Sequence, residues 1–174
     1  MREWWLRTLL VLQAPRPVFA ALRDDSDRAA SDRAEPVLLV VVLAGMALAF
    51  ASNASSGYDG LLLPVWLLIA GGITGTAGYW FFGAVLYGAG RALGSAGSYR
   101  RSRHVLAFAS VPLALSLALS PVGRTAFSWV VLAFVAWSAG LLLIGVRSVH
   151  GWTWQRAAAA SAVPVAVAAG LLAL

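Results

Sequence analysis

The sequence contains no cysteine, and this absence excludes disulfide bonds, thiolate metal sites and cysteine nucleophiles. It also contains no lysine, so all thirteen basic residues are arginines. Charged residues make up only 11% of the 174 residues, whereas about 25% is usual in a soluble domain. Together with 60% hydrophobic residues and a mean hydropathy of +0.80, this scarcity of charge excludes a soluble globular enzyme and a disordered chain.

The basic balance, a net charge of +6 and an isoelectric point near 11.1, would indicate a nucleic-acid partner in a soluble protein. Here the arginines flank uncharged stretches, several of which approach or exceed the roughly 20 residues that cross a bilayer. We therefore interpret the arginines as determinants of membrane topology and expect membrane lipids, not nucleic acid, around the chain.

The apolar stretches predict an all-α fold, a polytopic bundle of five transmembrane helices. The predicted spans are residues 36–52, 61–90, 104–119, 125–146 and 157–174. We expect Pro36 to open the first span. Residues 1–35 form a cytoplasmic N-terminal segment, in which a short interfacial helix over residues 3–13 either lies on the leaflet or packs against the bundle. Its mixed-charge part, residues 23–35, is interpreted as a solvated helix or a linker.

The distribution of arginine predicts the orientation of these spans. Twelve of the thirteen arginines fall before the first span or in the loops that follow spans two and four. The opposite loops contain only Arg124, together with Asp59. We therefore expect a multi-pass protein of a prokaryotic plasma membrane, with a cytoplasmic N-terminus and an extracytoplasmic C-terminus.

Small residues and prolines in the spans suggest how the helices pack. Gly71, Gly75 and Gly78 lie on one helical face of the second span, where small residues permit close helix approach. This face either packs within the bundle or mediates self-association into a homo-oligomer. Pro112 and Pro164 each remove a backbone hydrogen bond and are predicted to kink spans three and five.

No acidic residue, arginine or histidine falls in the interior of a predicted span, and His104 lies at the cytoplasmic end of the third, which argues against ion-coupled transport and intramembrane proteolysis. We accordingly expect no catalytic, cofactor or metal site. The cluster of Arg100, Arg101 and Arg103 either contacts anionic lipid headgroups or a protein partner, or acts only as a topological anchor.

Three stretches resemble the Yip family, membrane proteins named for their interaction with Ypt and Rab GTPases. The first, residues 14–19 (APRPVF), is similar to an early proline-then-phenylalanine element. The second, residues 93–112, is similar to a glycine-rich loop and basic residue followed by an apolar run that ends in proline. The third, residues 137–157, is similar to the family's fourth span and the short loop after it.

This resemblance implies a five-span helical bundle with a cytoplasmic N-terminus and no catalytic residues. In eukaryotic members it implies a role in vesicle traffic through GTPase binding, whereas the arginine- and alanine-rich composition here indicates a high-GC prokaryote. The function we expect is a non-enzymatic integral membrane protein that organises protein partners or lipids. The alternative is a passive transporter, channel or lipid-moving protein, with a polar path made of hydroxyl and backbone groups.

Overall fold

The computed structural model describes residues 2–56, 62–122 and 124–172, and in these ranges the chain is helical and contains no strand. These described ranges contain eight α-helices, and a short 3-10 helix, Leu117–Val122, lies between the sixth and the seventh. The helices are α1 (Arg2–Leu10), α2 (Pro15–Ala21), α3 (Asp27–Ser56), α4 (Leu63–Ala92), α5 (Tyr99–Ala109), α6 (Val111–Ser116), α7 (Arg124–His150) and α8 (Trp154–Leu172).

Four helical stretches among the described residues are long and apolar enough to cross a membrane. They are Asp27–Asn53, Leu63–Ala92, Tyr99–Ser120 and Ala126–His150. The prediction of an all-α membrane protein is thereby confirmed, whereas a fifth crossing, by α8, stays a prediction. Of the predicted outer loop, residues 53–60, the first four belong to α3, whereas residues 57–60, with Asp59, lie outside the described residues, as do the last two residues of the predicted fifth span.

Helix α3 begins nine residues earlier than the predicted first span, so the expectation that Pro36 opens this helix is wrong. The true start is favoured by Ser26, whose Oγ accepts a hydrogen bond from the backbone N–H of Ala29 at 3.3 Å, and by the acidic Asp27 in the first turn. Pro36 lies buried inside the helix and removes one backbone hydrogen bond there. Residues 27–35 are therefore a rigid continuation of the membrane helix and not a linker.

Helices α3 and α4 cross in close contact at three glycines. A Cβ atom built on Gly75 would lie 2.5 Å from the carbonyl oxygen of Val41, and one on Gly71 would lie 2.6 Å from the Cα of Met46. A Cβ on Gly45, opposite them on α3, would overlap the backbone of Gly71 and Gly75. No residue larger than glycine fits these positions without separating the two backbones.

The third apolar stretch is two helices, not one kinked helix. Ser110 ends α5, and Pro112 occupies the first turn of α6, where the absence of an N–H costs no helical hydrogen bond. Pro164, in contrast, lies inside α8 without interrupting it. Of the two predicted kink residues, Pro112 therefore lies at the start of a helix and Pro164 lies within one.

The N-terminal helices pack on the bundle through aromatic side chains. The ring of Trp4 in α1 lies 5.6 Å from that of Phe108 in α5. Phe19 in α2 is fully buried, and a Cβ on Gly145 of α7 would lie 2.8 Å from its ring. The other side of α1 exposes Leu6, Leu9 and Leu10. One face of α1 therefore contacts protein while the opposite face presents leucines to the surroundings.

Candidate functional site

The described arginines and carboxylates concentrate at one end of the bundle, where the start of α3 meets the start of α5 and the end of α7. We call this the arginine-rich end and define it as residues 23–35, 83–103 and 147–156. The contacts that define it join residues far apart in the chain, such as Arg100 with Asp27 and Arg23 with Ser148.

Arg33 is the centre of this end, and its side chain is fully buried. Its Nε donates a hydrogen bond to Nδ1 of His104 at 2.8 Å, and one terminal nitrogen donates to the carbonyl oxygen of Asp24 at 2.8 Å. The other terminal nitrogen lies 3.2 Å from a carboxylate oxygen of Asp25. Because every nitrogen of the guanidinium has an acceptor, the cost of burying its charge is offset. The interpretation of residues 23–35 as solvated is wrong at this position.

The carboxylate of Asp25 links Arg33 to the start of α5. It accepts hydrogen bonds from the hydroxyl of Ser98 and from Nε of Arg100, the latter at 3.0 Å. Burial alone would raise the pKa of Asp25, but the hydrogen bonds from Ser98 and Arg100 and the positive charge of Arg100 outweigh it and lower the pKa. The group is therefore ionised at neutral pH, as the adjacent cations require.

Arg100 is the most extensively paired residue of the predicted contact cluster. Besides its bond to the Asp25 carboxylate, it donates to the Asp25 carbonyl oxygen and forms an ion pair with Asp27 at 2.7 Å. The side chain nevertheless remains 34% exposed. It holds the segment before α3 against α5 and still presents part of its surface to the outside.

Arg101 and Arg23 extend the same network to α7 through backbone carbonyl groups. A terminal nitrogen of Arg101 donates to the carbonyl oxygen of Arg23 at 2.8 Å. The guanidinium of Arg23 in turn donates to the carbonyl oxygen of Ser148, at 2.6 Å from its terminal nitrogen. The bonds from Arg23 satisfy the carbonyl group of Ser148 in the last turn of α7, where a helix leaves its acceptors without an internal donor.

Arg103 is held by aromatic rings and not by acids. Its guanidinium carbon lies 3.6 Å from the ring centroid of Trp80, 4.7 Å from that of Tyr99 and 5.2 Å from that of Tyr79. A Cβ on Gly83 would overlap the stem of Arg103, so glycine at this position lets the side chain lie against α4. In the described part of the chain Arg103 forms no ion pair, and its Nε has no hydrogen-bond partner.

A second cluster joins the loop before α5 to the α7–α8 turn. The ring of His150 stacks on Trp152 with centroids 4.5 Å apart, and its Nδ1 lies 3.2 Å from the hydroxyl oxygen of Ser95. The guanidinium of Arg156 also lies against Trp152, 4.4 Å from its ring centroid, and it donates a hydrogen bond to the carbonyl oxygen of Leu93. The cluster contains no acid, and its contacts fasten the two loops together.

The predicted glycine face divides in the structure. Gly71 and Gly75 lie in the crossing with α3, whereas a Cβ on Gly78 would meet only Phe82 of its own helix, at 3.7 Å. The sequence analysis missed Gly45, Arg33 and His104. Glycine in an apolar run signals a possible helix contact for Gly45, but no local pattern links Arg33 to His104, 71 positions away.

The comparisons with known proteins give one match. A family model described as the Yip1 domain matches residues 9–174, nearly the whole chain. In the comparisons with curated proteins and with solved structures, nothing matches.

Proposed function

The chain belongs to the Yip1 domain family of membrane proteins, and on this premise we propose that it is a non-enzymatic integral membrane protein. In this role it organises protein partners or lipids at the surface of the membrane. The observation that supports the proposal is the network in which Asp25 binds both Arg33 and Arg100. This network fixes the arginine-rich end in one arrangement, as a docking surface requires.

The proposed topology has five crossings, with residues 1–35 in the cytoplasm and the end of α8 outside. Its support is the placement of twelve of the thirteen arginines on one side of the alternating spans. In this topology the arginine-rich end faces the cytoplasm of a prokaryotic cell. Helix α1 then lies at the membrane interface, with Trp4 against the bundle and Leu6, Leu9 and Leu10 towards lipid.

We assign contact with the partner or with lipid to Arg100, Arg101 and Arg103. All three side chains are partly exposed at the arginine-rich end, and their internal contacts hold each guanidinium in a defined position. Preorganised cations lose little side-chain entropy when an acidic group binds. A partner with an acidic surface, or an anionic membrane lipid, is complementary to this end.

Purification from native membranes in a mild detergent, followed by mass spectrometry of whatever remains bound, tests the proposal. We expect defined proteins or anionic lipids to copurify with the wild-type chain, and their recovery to fall several-fold when Arg100, Arg101 and Arg103 are changed to Gln. The matched control is Arg124→Gln, which removes an arginine on the predicted opposite side and should leave recovery unchanged. Recovery of bulk lipid alone, equal for all three proteins, would overturn the proposal.

A further inference from the structure

The outer surface of the α3–α4 pair carries an apolar groove that the packing of the bundle leaves open. The groove has a volume of about 640 Å³ and is lined by Val42 and Met46 of α3 and by Ile69, Gly72 and Ile73 of α4. Gly72 lies at its floor, where a Cβ would be in ordinary van der Waals contact with the side chains of Val42 at 3.5 Å and Met46 at 3.6 Å. Ile69 and Ile73 are 49% and 65% exposed along its edge.

One end of the groove is formed by Trp80, and this residue also carries the guanidinium of Arg103. The apolar groove is therefore continuous with a cation. Tryptophan and arginine are the residues that membrane proteins place where hydrocarbon gives way to headgroups. The Trp80–Arg103 pair thus marks the headgroup level, and the groove extends from it into the hydrocarbon.

The charge of Arg103 has no counterpart among the described residues, since the ion pairs there involve Arg7, Arg33 and Arg100. The rings of Trp80, Tyr99 and Tyr79 contact its guanidinium; its Nε is buried without a partner, while the side chain as a whole is partly exposed. Rings that stack on the faces of a guanidinium leave the N–H donors of its terminal nitrogens, which lie in its plane, for hydrogen bonds. A phosphate group fits such donors well.

We propose that this site binds one anionic phospholipid, with its phosphate on Arg103 and an acyl chain in the α3–α4 groove. A phospholipid has a phosphate for Arg103 and an acyl chain for the groove, and the two follow each other in the lipid as Arg103 and the groove do in the protein. A second copy of the chain would fill the groove with another helix but would leave the charge of Arg103 without a partner. The inference rests on the proposed function, which assigns Arg103 to contact with lipid or a partner, and it adds to that residue the α3–α4 groove, on a face distinct from the Asp25 network.

The experiment measures binding of phosphatidylglycerol to the purified full-length protein in mild detergent by native mass spectrometry, with phosphatidylcholine as the neutral reference. We expect phosphatidylglycerol to bind the wild type more tightly than phosphatidylcholine. Arg103→Gln should weaken phosphatidylglycerol binding about five- to tenfold, the effect of removing one cation from an anionic headgroup, and should weaken phosphatidylcholine binding less, because the choline ammonium of that lipid already offsets its phosphate. Arg103→Lys should retain the preference, because it retains the charge. Arg91→Gln, an exposed arginine on α4 away from the groove, is the matched control.

A second variant tests the acyl chain. Gly72→Leu fills the groove without touching the Gly45–Gly75 crossing, so it should reduce binding of both lipids while Arg103 remains. Glycerol 3-phosphate should not compete, whereas lysophosphatidylglycerol should, because both the phosphate and the chain are required. Equal binding of phosphatidylglycerol to the wild type and to Arg103→Gln overturns the inference, and so does a dimer that Gly72→Leu disrupts.

The two proposals fail separately. If Gly72→Leu loses lipid but retains every copurifying protein, the docking role of the arginine-rich end stands without this lipid. If the wild type binds phosphatidylglycerol as described but copurifies with no protein, only the lipid half of the proposed function remains.

Discussion

Arg33 donates a hydrogen bond from its Nε to Nδ1 of His104, and both side chains are buried, with 0% and 5% of their surface exposed. Since arginine is always charged and only donates, Nδ1 acts as the acceptor and the imidazole carries its proton on Nε2. The bond fastens the first apolar helix to the third at the arginine-rich end. It also explains why an arginine is tolerated beside a membrane helix: its charge is enclosed by protein and paired.

The role of Arg33 predicts a large loss of stability on substitution. Arg33→Met leaves the buried His104 acceptor without a donor and removes one cation from Asp25, so the free energy of unfolding should fall by about 3–5 kcal/mol. Denaturant unfolding of the purified protein in detergent measures this change. Arg28→Met, at an exposed position one and a half turns earlier in the same helix, should change it by less than about 0.5 kcal/mol. Similar values for the two variants would contradict the structure.

The lowered pKa of Asp25 predicts a dependence of stability on pH. Because the folded pKa lies below the unfolded value of 3.8, Asp25 stabilises the fold above pH 3.8, and this contribution disappears as the pH falls through the folded pKa. We therefore expect the unfolding temperature of the wild type to fall on acidification below about pH 4. Asp25→Asn should be less stable at neutral pH and should lose less on acidification. Asp27→Asn, whose carboxylate is 97% exposed, should behave like the wild type.

Close approach at the α3–α4 crossing predicts opposite effects for two alanine substitutions in one helix. Gly75→Ala places a Cβ 2.5 Å from the carbonyl oxygen of Val41 and should destabilise the protein by about 1–3 kcal/mol. Gly88→Ala meets nothing within 4 Å and should stabilise it by about 0.5–1 kcal/mol through higher helix propensity. Gly78→Ala should resemble Gly88→Ala. Thermal unfolding in detergent distinguishes these outcomes, and destabilisation by Gly78→Ala would assign that residue to a contact outside this chain.

The absence of cysteine permits a direct test of the five-span topology. Single cysteines introduced at Ser26 and Leu174 should react with a membrane-impermeant maleimide from opposite sides, Ser26→Cys in inverted vesicles and Leu174→Cys in intact cells. Both positions should be within reach of the reagent, because Ser26 is exposed and Leu174 is the last residue of the predicted fifth span. Arg91→Cys should label like Ser26→Cys. Labelling of Leu174→Cys only in inverted vesicles would reduce the crossings from five to four.

Local sequence pattern was sufficient for the helical class, because long uncharged stretches have few other folds available in lipid, and the three motif stretches were sufficient for the family. Pro112, predicted to kink span three, instead follows a break between two helices, and of the predicted glycine face only Gly71 and Gly75 lie at the α3–α4 crossing. The sequence pattern could not show which residue of another helix each glycine or charged side chain contacts. Gly45 meets Gly75 only when α3 and α4 are antiparallel in one register, and that register is set by the whole bundle.

The buried contacts of Arg33 were not predicted, for a related reason. An arginine among acids in residues 23–35 has the composition of a solvated segment, and nothing local reveals that His104 and Asp25 enclose it. The start of α3 was misplaced because proline is common in the first helical turn, a preference that Pro36 does not follow. In both cases a tertiary contact outweighed a local preference.

The unbroken course of α3 from Asp27 to Ser56 couples two environments mechanically. Its first two turns form ion pairs and hydrogen bonds with Asp25, Arg100 and His104, and its middle is in backbone contact with α4 at Gly45. A force applied to these first turns is expected to tilt the helix, because α3 is unbroken between them and Gly45, and the hydrogen bond missing at Pro36 is where it would bend first. If the Gly45 contact holds while the start of α3 is pulled by a bound partner, we expect the end near Ser52 to move in the opposite direction.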